Sequence, residues 1–170
     1  MTNLSRIASG AEEQDLETIL PRLASTLRVI AGAMCAALFV FASTIVFLFL
    51  SQPHGPASEK ALRTIRLLSS VNALMIVVAY PLSARLSRIS LKAGGSRAAL
   101  LQTAEIVRLV PREAAGLFGL VACFLAAQNG VLNAHPAYWL NALGAGLFWC
   151  STALSFPNEE RLRAALRESS

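Results

Sequence analysis

Four apolar stretches, 29–50, 67–86, 113–131 and 137–156, take up about half of this 170-residue chain and decide the solvent in which it folds. A helix rises 1.5 Å per residue, so a hydrocarbon core of about 30 Å needs about 20 residues. Each stretch supplies that length with at most one ionisable group, and that group stands near an end. Irregular backbone is not tolerated in lipid, which leaves helices as the form these stretches take. The expected fold is therefore all-α, an integral membrane four-helix bundle.

Composition agrees, with 55% hydrophobic and 15% charged residues. Four spans and their loops use nearly the whole chain, leaving no room for a second folded domain. The expected parts are a cytoplasmic N-terminal arm (1–28), a four-span membrane domain (29–156) with a cytoplasmic loop at 87–112, and a cytoplasmic tail (157–170).

The net charge of +5 reads as membrane orientation. Twelve of the fifteen basic residues fall on one side: Arg6, Arg22, Arg28, Arg85, Arg88, Lys92, Arg97, Arg108, Arg112, Arg161, Arg163 and Arg167. Only Lys60, Arg63 and Arg66 fall on the other. The positive-inside bias then predicts a multi-pass protein of the plasma (inner) membrane with both termini cytoplasmic. A nucleic-acid partner is not expected, because no aromatic residue is interleaved with the basic cluster of the central loop. Glu12, Glu13, Asp15 and Glu17 precede the first apolar run, and no small-residue cleavage site follows it, which speaks against a cleaved signal peptide.

Leu16, Ile19, Leu20, Leu23 and Leu27 recur at helical spacing, which predicts an amphipathic helix at the cytoplasmic surface, kinked or starting near Pro21. Arg97 to Val110 forms a second amphipathic segment, whose Gln102, Glu105, Arg108 and Arg112 make one polar stripe. It is expected to lie in the interface or to stack under the third span, with Pro111 in the first turn of that span. The turn clusters 52–56 and 133–136 mark the outward loops, and Gly94-Gly95 breaks the helix between the second and third spans.

An internal repeat is visible at two offsets. Arg28, Ala31 and Gly32 align with Arg112, Ala115 and Gly116; Asn72-Ala73-Leu74 aligns with Asn141-Ala142-Leu143, and Tyr80 with Trp149. Two tandem helical hairpins of the same orientation follow from it. The repeat sets Asn72 and Asn141 at similar depth, where amides seek partners across helices. Gly32, Gly116, Gly119, Gly144 and Gly146 are the small residues expected to permit close interhelical packing.

Chemistry-bearing clusters are absent from the pattern. His54 and His135 stand in outward loops without neighbouring carboxylates or thiols, and Cys35, Cys123 and Cys150 fall inside spans as small buried hydrophobes. No metal site, cofactor or catalytic residue is expected, and no enzyme.

The run Glu113-Ala114-Ala115-Gly116-Leu117-Phe118-Gly119-Leu120-Val121-Ala122 resembles the ion-binding helix of the rotary ATPase proteolipids, the c-type subunits, in the form Glu-Ala-x-x-[Ile/Leu]-[Phe/Tyr]-Gly-Leu. The resemblance implies a glutamate, Glu113, that carries a translocated proton or sodium ion, and some members of that family are duplicated hairpins with four spans. In this chain Pro111 and Arg112 precede Glu113, which sets the carboxylate at the cytoplasmic boundary. An acid there is expected to complement the helix dipole or to pair with Arg112 or Arg28. The leading expectation is a non-catalytic subunit, scaffold or assembly factor whose partners are the bilayer and other membrane proteins or further copies of itself. The alternative is a proteolipid-like ion-translocating subunit.

Overall fold

A computed structural model describes residues 2–51, 56–92 and 96–169, with side chains described for 18–51, 56–92 and 96–164. The turn at 52–55, the paired Gly94-Gly95, and the side chains of Arg6, Glu12, Glu13, Asp15, Leu16, Glu17 and Arg167 lie outside the described residues. Among the described residues the structure is helical throughout: α1 (Thr2–Ser51), α2 (Glu59–Leu91), α3 (Arg97–Gln128), α4 (Val131–Ala134), a 3-10 helix (Pro136–Ala142), α5 (Leu143–Leu154) and α6 (Glu159–Ser169).

Three of these helices, α1, α2 and α3, are long and apolar enough to cross a membrane. On α1 the buried residues run Leu20, Ala24, Leu27, Ala31, Leu38 and Ile45, and the half-buried Met34, Phe41 and Phe49 continue the series. As far as Ile45 those steps alternate between four and three residues. This is the 3.5-residue seam that a helix presents when it packs nearly parallel to its neighbour. On α2, Ile65, Asn72, Ala79 and Ser83 follow a similar stripe. By contrast α3 is buried on a broad face and touches α1, α2, α5 and α6, so it is the axis of the molecule.

Several boundaries differ from the sequence reading, for a common reason. The described parts of 87–112 are mostly helical: α2 continues to Leu91, and α3 begins at Arg97 behind the N-cap Ser96, whose Oγ accepts from Ala99 N at 3.4 Å. Pro111 lies in the interior of α3 and Pro21 in that of α1; neither helix ends there. The missing N–H of Pro111 leaves the carbonyl of Val107 without its helical donor. Packing compensates. Leu20, Leu23, Ala24 and Leu27 of α1, Leu101 of α3 and Leu162 of α6 form a second small core beneath the main one. The two amphipathic segments thus bury their apolar sides against each other, and Ile19, expected on that side, is 44% exposed.

The fourth apolar stretch is not one α-helix. Gly130 takes the left-handed conformation (φ 68°) that turns the chain after α3, and Pro136 then opens the 3-10 helix ahead of α5. The main core gathers Leu38, Ile45, Ile65, Leu109, Leu120, Cys123, Val131, Leu132 and Phe148. Cys123 is buried in it and Cys35 half-buried, but Cys150, expected inside, is exposed on the outer side of α5; all three are free thiols.

Candidate functional site

The 3-10 stretch exists where an amide node forces the chain close to α3. Asn72, 98% buried on α2, donates from Nδ2 to the Asn141 carbonyl at 3.1 Å and lies 3.4 Å from Asn141 Oδ1. Asn141 Nδ2 donates in turn to Ser69 Oγ at 2.9 Å and back to the Tyr138 carbonyl at 2.9 Å. Ser69 Oγ completes the chain by donating to Ile65 O at 2.8 Å. A backbone carbonyl and two side-chain amides therefore satisfy one another between α2 and the 3-10 helix, away from water, where an unmade bond is expensive. Asn72 Oδ1 alone in this node has no partner.

Gly119 makes the approach possible. A Cβ on it would fall far inside van der Waals contact distance of the Asn141 carbonyl oxygen and 2.9 Å from Asn72 Nδ2. Gly116 and Gly144 serve the α3–α5 contact in the same way: a Cβ on Gly116 would meet Ala145 Cα at 3.1 Å, and one on Gly144 the Ala115 carbonyl at 3.1 Å. Gly32 and Gly146 do not share this role, since nothing lies within 4 Å of the place their Cβ would occupy. Sequence pattern marks small residues, but only the fold decides which of them face a helix. Beside the node, Ala73, Ile76, Val77, Leu140 and Leu143 line an open apolar groove of ≈ 570 Å³.

Glu113 stands in mid-helix, sixteen residues into α3, so no free N–H groups remain for it to complement. Nor does it pair with Arg112 or Arg28. Arg112 turns toward α2, where its Nε donates to Ser83 Oγ at 2.9 Å and its guanidinium lies 4.9 Å from the centre of the Tyr80 ring, a cation–π contact. Ser83 Oγ also donates to Tyr80 O at 2.9 Å, beside Pro81 in the interior of α2.

The second polar cluster sits at the base; the sequence placed its Glu105 and Arg108 on one polar stripe but did not bring Arg161 to them. Glu105, 7% exposed, meets Arg108 Nη2 at 2.7 Å and Arg161 Nη2 at 3.3 Å. Both guanidiniums also donate to the carbonyl of Ser155, Arg108 at 3.2 Å, while Arg28 Nε donates to Pro157 O at 2.9 Å. Three arginines from α1, α3 and α6 thus converge on the turn after α5, where free carbonyls carry the negative end of the helix dipole. The spacing of Glu105 and Arg108 was the visible signal; Arg161 lies 56 residues away. Among the described residues no three His, Cys, Asp or Glu side chains converge as metal ligands would.

Comparison of the chain with protein-family models, with curated proteins and with solved structures finds no match.

Proposed function

We propose that this chain is a small polytopic membrane protein that acts as a non-catalytic subunit, scaffold or assembly factor of a membrane complex. The observation that carries this reading is the uneven covering of its apolar helices. Only 11% of the apolar window of α1 and 17% of that of α2 is buried by the chain itself, against 44% for α3. Phe39, Val40, Phe47, Leu67, Leu74 and Val77 are all more than 60% exposed. Such faces are stable in lipid or against apolar helices of a partner.

In this reading the 3-10 helix and α5 together form the fourth crossing. Seven residues at about 2.0 Å and twelve at 1.5 Å give about 32 Å, enough for the hydrocarbon core. Both termini are then cytoplasmic, and the bond between Asn72 and Asn141 supports the two-hairpin repeat. Labelling of Lys60→Cys from outside and Arg97→Cys from the cytoplasm, in a chain without its own cysteines, checks the topology. Labelling of both from one side would sink it. Cross-linking in native membranes followed by mass spectrometry checks the role; a chain that captures neither itself nor any membrane protein is no subunit.

One observation favours the second reading, in which Glu113 carries a proton or sodium ion. With Arg112 drawn to Tyr80 and Ser83, the carboxylate has no cationic partner among the described residues, and an intramembrane acid of that kind marks an ion path. Reconstituted flux that is blocked by a carbodiimide and abolished by Glu113→Gln supports it. Unchanged flux in Glu113→Gln removes it.

A further inference from the structure

At the base of the molecule Arg28, Arg108 and Arg161 all reach the turn at residues 155–157; Glu105 is shared by Arg108 and Arg161, while Glu159 and Glu160, which open α6 just beyond the turn, form no ion pair with any of the three among the described residues. Arg28 is exposed, spends only its Nε on Pro157 O, and forms no ion pair among the described residues. Its terminal nitrogens remain as donors. Arg161 keeps 31% of its side chain exposed, and the Nε of Arg108 has no partner.

Apolar surface adjoins these cations in the chain. Val29, next to Arg28, is 69% exposed, Leu154 is 90% exposed and Phe156 43%. A water-soluble anion would match the guanidiniums and leave those side chains in water. An acyl chain beneath a phosphate matches both. Resting on the membrane reading above, we propose that the Arg28–Arg161 edge of the 155–157 turn is a binding site for an anionic phospholipid of the cytoplasmic leaflet, its phosphate on the guanidiniums and its chains along Val29, Leu154 and Phe156. Basic pockets beside membrane helices recognise such head groups by charge and by the donor geometry of arginine.

The test is native mass spectrometry of the full chain released from nanodiscs of equal phosphatidylglycerol and phosphatidylcholine. The wild-type chain is expected to retain phosphatidylglycerol preferentially. Arg28→Gln keeps a donor for Pro157 O but loses the charge, and should cut retention about fivefold, the weight of one basic residue at an anionic surface. Arg28→Lys and the remote Arg63→Gln should keep it. Equal retention of both lipids, unchanged retention in Arg28→Gln, or displacement by millimolar inorganic phosphate overturns the lipid site. A photoreactive phosphatidylglycerol on the wild-type chain gives a readout independent of any variant: labelled peptides must include Arg28 or residues 154–161, and labelling confined elsewhere overturns the proposal. Alkaline carbonate separates the two readings. A chain stripped from membranes by it refutes the membrane reading itself, whereas a chain that stays embedded without lipid preference refutes only the site.

Discussion

Two of the places where the molecule buries polar groups solve the problem differently. Between α2 and the 3-10 helix the groups are neutral: two asparagines, a serine and backbone carbonyls that bond one another at 2.8–3.1 Å across a contact that only Gly119 allows. At the base they are charged, and Glu105 is held between Arg108 and Arg161. A neutral amide costs little to bury once bonded, so it can sit among apolar helices. An ion pair taken from water loses several kcal/mol of solvation per ion, so it belongs where further carbonyls and nearby solvent share the load. The amide node fixes register through backbone approach; the ionic cluster fixes which helix ends meet.

That contrast ranks the expected effects of substitution. The largest belongs to Glu105→Ala, which leaves two guanidiniums facing each other around one carbonyl and should cost about 3–5 kcal/mol. Thermal unfolding in detergent measures it, and proteolysis near Arg161 should accelerate as α6 loosens. If Glu105→Ala melts like the wild type, the base cluster is no clamp. Next comes Gly119→Ala, in which a methyl group must displace the Asn141 backbone; about 1–3 kcal/mol is expected from overpacking. Gly146→Ala is its control. With open space at that position, the helix should be unaffected or gain up to about 1 kcal/mol from propensity.

Smaller still are Asn72→Leu and Asn141→Leu, each expected to cost about 0.5–2 kcal/mol, because interhelical amide bonds in membranes are modest. The double variant should lose less than the sum, since the two side chains share a network. Strict additivity of the two losses would show that the pair is not coupled, and the comparison drawn above would fail on its neutral side.

Local pattern carried three of the four apolar stretches as long helices, and missed that the fourth divides into a 3-10 helix and α5. Runs of about 20 residues announce themselves in any window, and the offset that aligned Asn72 with Asn141 set at one depth two residues that prove to be bonded. What local pattern could not carry was continuity. Pro111 and the charged stripe before it look like a boundary, yet α3 runs through them, with Leu101 buried in one cluster with Leu27 and Leu162. Arg161 could not be matched to Glu105 from spacing, since the pairing depends on where α6 returns. Gly32 and Gly146 teach a related point: smallness permits approach, but no helix of this chain faces either of them.

The seam of α1 has a consequence for biosynthesis. Among the described residues, Arg28 bonds Pro157 and Trp149 Nε1 bonds the carbonyl of Cys35, and the stripe from Leu20 to Ile45 adds apolar contact along the length of α1. Its main partner along that stripe is α3, which begins at Arg97. A ribosome adding roughly 5–20 residues per second completes α1 several seconds before α3 emerges. Throughout that interval the first helix must wait with its heptad stripe unmatched, sheltered by the translocon, by lipid or by a chaperone.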